Sequence, residues 1–409
     1  MAIDFTLPPQ VEEIRLKVRR FIDDEVRPVS ESLEVDGTTE RSDFIMAILQ
    51  LRERAKEAGV WLPQMPPEWG GLGLGPTAMA FVQAEAIRAS IGPYVLNCYA
   101  PDEGNMHTLL HFGTDHQKQK YLKALCEGYT RSCFAMTEPE VAGSDPTGIQ
   151  THAEETEGGW AINGHKWFTS GARGANFAIV IACTDPDSPA RQGRNTAFIV
   201  DLPAEGFEIV RDIETMAGQG NHCEILLKDV FVPAENLFGG RGQGHRLGQV
   251  RLGPARLAHC MRWIGQAELA LEMMIDRATS RQLHGAPLAD KQGIQWMIAD
   301  SAMELYAGKL MVLHAAYKIE NDLDFRQEVS FAKHHVANAL WKIIDRAIQV
   351  HGALGYSADT PLQQMMRHAR SARLVDGADE VHQWRIADLT IKAFADSGSV
   401  RAATGGFDF

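Results

Sequence analysis

The stretch Ser132-Cys-Phe-Ala-Met-Thr-Glu-Pro-Glu-Val-Ala-Gly-Ser-Asp145 is where the chain changes character. Upstream, apolar residues recur at helical spacing. Val11, Ile14, Leu16, Val18, Phe21, Ile22 and Val26 predict a helix over 9–30 that Pro28 ends. A second pattern over 41–59 stops at Gly59, a natural helix terminator. A loop rich in Pro and Gly, Pro63 to Gly75, leads to further helices at about 76–91, 101–112 and 115–127. From Ser132 onward the runs are short and alternating: 132–137, 151–154, 160–168, 178–182, 197–200, 207–210 and 223–232. These read as strands of an antiparallel sheet or barrel, with Asn163-Gly164 expected as a tight type I′ hairpin turn. Helical periodicity returns over 246–280, 289–320, 326–350 and 378–395, long stretches joined by short turns.

The implied fold is α+β: an N-terminal helical domain (1–131), a middle antiparallel β domain (132–240) and a C-terminal four-helix bundle (241–409). Helices and strands are segregated, which excludes a doubly wound sheet, where they would alternate. The net charge of −13 argues against a nucleic-acid surface but leaves room for a local cationic cluster that holds an anion. The six cysteines (98, 126, 133, 183, 223 and 260) show no CxxC and no metal-like pairing, so no metal site is expected and the thiols are read as reduced. The first residues, Met-Ala-Ile-Asp-Phe-Thr, show no secretory leader, and no apolar run is long enough to span a bilayer, so a cytoplasmic location is expected.

Six segments offer chemistry. Arg373-Leu-Val-Asp-Gly-Ala-Asp-Glu-Val-His382 places a carboxylate, Asp376, between two helices and before a Gly. Asp376 suits either a catalytic base or a helix N-cap. The loop after Thr137 frees backbone N–H groups beside the Thr137 and Ser144 hydroxyls, fit for a heterocycle edge or a phosphate, or for nothing more than a polar loop. Trp167-Phe-Thr-Ser170 pairs an indole with hydroxyls and suits an aromatic cofactor or a core strand end. Arg251-Leu-Gly-Pro-Ala-Arg256 is read as a break at the start of a long helix, where Arg256 either steadies an anion or is an ordinary surface residue, and Arg281 suits either a pyrophosphate or its own helix terminus. Gln349-Val-His-Gly-Ala-Leu-Gly-Tyr356 is another helix end whose glycines serve a stop or a phosphate contact. The common dinucleotide, P-loop, zinc-protease and nucleophile-elbow patterns are absent.

Together, in this order and spacing, these segments resemble the acyl-CoA dehydrogenase family, across about residues 4–396. The likeness is greatest to the branch of the mammalian family members ten and eleven, carried by 133–145, Arg251-Leu-Gly-Pro-Ala-Arg256, His259-Cys-Met-Arg262 and 376–382. The resemblance implies FAD between the β domain and the bundle. Phe134, Met136, Thr137 and Ser144 would line it, with Trp167 and Thr169 flanking the isoalloxazine. Arg281, Gln292, Gln349, Gly352, Ala353, Ala378 and Glu380 would serve the cofactor, some of them that of a neighbouring subunit. Ser144, Gly253, Arg256 and Gly377 would touch an acyl-CoA, and Asp376 would remove its α-proton while the β-hydride passes to the flavin, giving a trans-2-enoyl-CoA. The resemblance further implies a homo-oligomer, tetramer or dimer, and electron-transferring flavoprotein as acceptor.

Four residues depart from the family pattern. Asp376 stands where most members have Glu, His284 where Phe is common, and Ala378 and Glu380 where Thr and Gln are usual. Two other readings follow from the same residues: a flavin oxidase or monooxygenase resembling nitroalkane oxidase, with the same Asp base and no CoA, and a non-catalytic scaffold. Tyr99, Met106 and Trp263 are candidates for lining an acyl pocket.

Overall fold

The computed structural model describes residues 6–35, 41–401 and 403–404. Residues 1–5, read above for a leader, and 405–409, within the expected C-terminal domain, lie outside them. The described chain forms two compact units. The first comprises 1–64, 73–96 and 256–409, and the second 65–72 and 97–255.

The first unit is helical. Its central element is the Arg326–His351 helix, which buries Val329, Ala332, Val336, Leu340, Ile343, Ala347 and Val350 at spacings of three and four. The Gln292–Glu320, Leu362–Ser371 and Asp379–Ser397 helices belong to the same unit, as does most of the 37-residue Gly244–Ser280 helix. Gly265 permits a close approach between two helices of the unit. A Cβ there would lie 2.2 Å from the Ala84 carbonyl oxygen of the Pro76–Ala86 helix.

Pro28 does not end the first helix, as expected from the sequence. Helical structure runs from Pro9 to Val35, with a π turn at Ile22–Val26 just before the proline. A proline ring clashes with the carbonyl four residues back in a regular helix. The π turn, closed by the Arg27 N–H on the Ile22 carbonyl, widens the backbone at that point.

The second unit holds an eight-stranded sheet. Its strands are β1 (Ser132–Ala135), β2 (His152–Thr156), β3 (Gly159–Ser170), β4 (Phe177–Cys183), β5 (Asn195–Asp201), β6 (Phe207–Thr215), β7 (Gly218–Pro233) and β8 (Leu237–Phe238). The order is β6-β7-β3-β2-β4-β5-β8, with β1 beside β4. The sheet is not wholly antiparallel: β1 and β2 each run parallel to β4. Alternate residues meet in one core, where Trp160 tilts against Phe198 at 5.3 Å amid Ala178, Val180, Ile225 and Val230.

Asn163-Gly164 is not a hairpin turn. The reversal between β2 and β3 falls at Glu157-Gly158, beyond the Thr156–Gly159 pair, with Gly158 at φ +80°. Asn163-Gly164 instead lies within β3, opposite a β-bulge in β7 at Lys228-Asp229, with Asp229 at φ +51°. The Asn163 amide nitrogen donates to Asp229 Oδ1 and its oxygen accepts the Asp229 N–H, both at 2.8 Å. Side-chain bonding to a neighbouring backbone suits a bulge as well as a turn.

Pro254 likewise sits inside the Gly244–Ser280 helix rather than breaking it. The turn before it is fastened by Arg251, whose Nε donates to Asn105 Oδ1 at 3.0 Å and whose guanidinium lies 4.3 Å over the Phe134 ring.

One ion pair is buried in this unit. The fully buried Lys166 ammonium donates to Glu138 Oε1 at 2.8 Å and to the Met136 carbonyl at 2.9 Å. Glu138 also accepts the N–H groups of Gln150 and Thr151. Burial pushes Lys166 down to about 8, against the pull of Glu138. Burial alone would raise Glu138, but Lys166 and the two N–H groups outweigh it and hold the carboxyl below its ordinary value.

Gly265→Ala should destabilise the helical unit by about 1–3 kcal/mol, since the new Cβ meets a backbone oxygen. Chemical denaturation measures it, and an unchanged midpoint would contradict the close approach. Lys166→Met should cost about 3–5 kcal/mol by leaving a buried carboxylate unpaired. A loss below about 1 kcal/mol in the same measurement, the ordinary worth of a surface pair, would contradict the pairing.

Candidate active site

Asp376 lies between the Leu362–Ser371 and Asp379–Ser397 helices. Its φ is +52°, a left-handed conformation unusual for a residue with a Cβ, and Gly377 follows at +106°. Asp376 is not the helix cap. That position belongs to Ala378, and no side chain caps the helix. The Asp376 carboxylate is therefore not committed to the helix N-terminus.

Four cationic or imidazole groups gather around this turn. Arg256 Nε donates to the Asp376 carbonyl at 2.7 Å. Lys333 Nζ donates to the carbonyls of Gly377 and Ala372 at 2.7 and 2.8 Å. Burial lowers the pKa of both Arg256 and Lys333 below the ordinary range. His259 Nε2 stands 3.2 Å from Asp376 Oδ2. The His259 ring stacks on Trp263, with centroids 5.4 Å apart and planes at 20°. Trp263 is also 5.7 Å from the Lys333 ammonium. On the last helix, burial holds His382 down to about 4, so it is neutral at pH 7. A Cβ at position 377 would meet the His382 ring at 2.8 Å, so only Gly fits there.

The flavin-type residues of the sequence reading lie in the second unit. Met136 and Thr137 follow β1, and the Trp167 N–H donates to the Thr137 carbonyl at 3.0 Å. A bulge in β3 between Lys166 and Thr169, with Phe168 at φ +49°, sets the course of this segment. The indole Nε1 of Trp167 and the hydroxyl of Thr169 are both buried and have no hydrogen-bond partner. Such groups are costly unless a ligand pairs with them. Their chemistry, a donor and a donor–acceptor beside an aromatic ring, fits the polar edge of a flavin. Phe134 lies under Arg251, Ser144 is exposed, and Gly253 is buried in the long helix.

The remaining sequence candidates occupy exposed positions. Arg281 follows the last residue of the Gly244–Ser280 helix, and His284 turns a small hairpin at φ +51°. Gln292 begins one helix, Gln349, Gly352 and Ala353 lie at the end of another, and Glu380 is in the first turn of the last. Of the three pocket candidates, Met106 is fully buried against Cys126, Tyr99 is half-buried, and Trp263 supports His259. The structure thus brings Arg256, Asp376 and Gly377 together and adds His259, Lys333 and His382. The signal for His259 was its position: three residues after Arg256 on a helix, it shares Arg256's face. Lys333 carried no such signal, being one cation within an apolar helical pattern.

The chain matches the acyl-CoA dehydrogenase N-terminal domain over residues 8–129, the middle domain over 133–230 and the C-terminal domain over 242–390. It is 36% identical to "Acyl-CoA dehydrogenase family member 10" of Mus musculus over 94% of this chain, but spans only 37% of that protein. Family member 11 of Gallus gallus is matched at the same identity over 51% of its length. "Probable acyl-CoA dehydrogenase FadE2" of Mycobacterium tuberculosis is 40% identical over 83% of this chain and 84% of its own. A Mycobacterium abscessus structure assigned as an acyl-CoA dehydrogenase superposes with a TM-score of 0.90, at 34% identity over 95% of this chain and all of that one. The chain belongs to the acyl-CoA dehydrogenase family.

Proposed function

We propose that this chain is an FAD-dependent acyl-CoA dehydrogenase in which Asp376 removes the α-proton of an acyl-CoA thioester. The observation that carries the reading is the Asp376 turn. A carboxylate stands on a left-handed backbone whose two carbonyls are tied by Arg256 and Lys333. Non-glycine residues held in this conformation cluster at functional sites. The cap explanation for Asp376 is removed by Ala378.

Asp is one methylene shorter than the Glu common in the family, a difference of roughly 1.5 Å. The fixed turn compensates by restricting where the carboxylate starts. Gly377 admits the His382 ring against the backbone beside it, and the Asp376 N–H is the family's donor to the thioester oxygen. Such donation stabilises the charge that develops as the α-proton leaves, and burial of the site strengthens it. FAD, when bound, supplies the hydride acceptor.

Trp167 and Thr169 are the residues best suited to hold the flavin, supported by their unpaired buried atoms. Phe134, Met136, Thr137 and Ser144 complete that segment, and Gly253, Arg256 and Gly377 serve the acyl-CoA. Arg281, Gln292, Gln349, Gly352, Ala353 and Glu380 act across a subunit boundary, with Ala378 behind the base. Their exposure supports this, as do the large apolar residues exposed on the same helices, Trp296, Tyr306, Trp384 and Ile391. A homo-oligomer, with electron-transferring flavoprotein as acceptor, follows from the same reading. Among the described residues no helix is long and apolar enough to cross a membrane.

Asp376→Asn should retain flavin and lose turnover by about 10²–10⁴-fold, the usual worth of a general base. Steady-state reduction of an artificial electron acceptor with a panel of acyl-CoAs measures it. Turnover of any acyl-CoA at the wild-type rate by this variant would remove Asp376 from the role. Turnover by the wild type with a nitroalkane and oxygen alone would favour the oxidase reading. Thr169→Val should weaken flavin binding about tenfold, by removing one hydrogen bond of about 1 kcal/mol or more. Reconstitution of the flavin-free protein measures this, and unchanged affinity would contradict the placement.

A further inference from the structure

We infer that Arg373 and Asp379 are positioning residues, a clamp that closes the loop 373–379 at its neck and so fixes the backbone that carries Asp376. This rests on the reading of Asp376 as the base. Asp376 stands midway between the two, three residues from each. The Asp379 N–H donates to the Arg373 carbonyl at 3.2 Å. Arg373 Nε donates to Asp379 Oδ2 at 2.6 Å. The loop is thus joined twice at the same pair of residues, once by backbone and once by a charge-assisted bond between side chains. Asp379 is 4% exposed, so little water competes for its carboxylate. Burial alone would raise its pKa, but Arg373, Asn338 and His334 outweigh it and hold the carboxyl below its ordinary value.

The clamp is seated on the Arg326–His351 helix. Asn338 Nδ2 donates to Asp379 Oδ2 at 3.1 Å and to the His334 carbonyl at 2.8 Å. His334, one turn earlier, sets its Nδ1 3.8 Å from Asp379 Oδ1, too far for a hydrogen bond. Lys333 on the same helix holds the carbonyls of Ala372, just before the neck, and Gly377, within the loop. Arg256 holds the Asp376 carbonyl, His382 lies against Gly377, and His259 faces the Asp376 carboxylate. Lys333 and Arg256 grip single carbonyls. The Arg373–Asp379 pair acts on the loop as a whole, because it joins the two ends from which the loop would open. It acts through the backbone and not through the Asp376 carboxylate. A plainer explanation exists for each residue alone. Arg373 lies just past the Leu362–Ser371 helix and Asp379 in the first turn of the next, and each charge suits its helix dipole. Two separate dipole contacts would not depend on one another, whereas the two halves of a clamp do.

The test compares Arg373→Gln, Asp379→Asn and the double variant in the intact flavoprotein, with Asp376→Asn as a control. Hydrogen–deuterium exchange of the 373–379 amides reads the loop without substrate. Turnover with the acyl-CoA that the wild type uses fastest reads the base. Each single variant should speed exchange across 373–379 by about tenfold. Each should also lower kcat by about tenfold or more, with KM changed less than about threefold. The double variant should lose no more than the worse single one. Unchanged exchange in Arg373→Gln would overturn the proposal. So would wild-type kcat in both single variants, or losses that multiply in the double, which would mark two separate helix-end contacts. Should Asp379→Asn not retain flavin, Arg373→Lys takes its place at a half-buried position. It keeps the charge and should stay within about threefold of wild type in both readouts. Equal losses in Arg373→Gln and Arg373→Lys would then overturn the clamp. An active Asp376→Asn, together with faster exchange in the single variants, would show that the base assignment has failed and the clamp has not.

Discussion

The left-handed turn at Asp376-Gly377 is held at its carbonyls by two cations, the buried Lys333 and the half-buried Arg256. A non-glycine residue in that conformation costs on the order of 1–2 kcal/mol. Arg256 on Asp376 and Lys333 on Gly377 and Ala372 offset this with charge-assisted bonds, each worth about 1.5–3 kcal/mol. The cations do not bring a carboxylate partner of their own to these bonds. Burial disfavours their charges, and the three carbonyls are what keep them there. The turn and the cations therefore stabilise one another, and the position of the Asp376 carboxylate depends on both. The single methylene that separates Asp from Glu makes such positioning matter more.

The sheet unit repeats the arrangement with the signs shared differently. Lys166 and Glu138 pair in the core, and the spare hydrogen bonds of both go to the backbone of the segment that follows β1. That segment carries Met136 and Thr137, and Trp167 joins it through the Thr137 carbonyl. Among the described residues around it, the Trp167 indole and the Thr169 hydroxyl have no hydrogen-bond partner, nor does the Thr151 hydroxyl. The atoms at Trp167 and Thr169 lie two residues apart on one segment beside an aromatic ring, and together they suit a ligand with a polar edge.

Periodicity made the large elements legible: the helix–sheet–helix order, the apolar face of the Arg326–His351 helix and the stop at Gly59 follow from residue spacing alone. Three local signals misled for one reason. Pro28, Pro254 and Asn163-Gly164 read as breaks, but each is absorbed by its surroundings. A π turn precedes Pro28, Arg251 anchors the helix before Pro254, and Asp229 completes the bulge opposite Asn163. Turn and breaker propensities are local, and tertiary partners far along the chain override them. The same limit applies to the site. Asp376, Trp167 and Thr169 were legible because each sits in a distinctive run. Lys333, His259 and Lys166 act through partners 28 to 117 residues away, a separation that no spacing rule reports.

The measurement that bears most directly on this account is an anaerobic absorbance titration of the flavin-loaded protein with acyl-CoAs of varied chain length and branching. The account predicts that at least one acyl-CoA bleaches the flavin band stoichiometrically and is recovered as its 2-enoyl thioester. A flavin that stays oxidised with every acyl-CoA, yet bleaches with a nitroalkane, would contradict it.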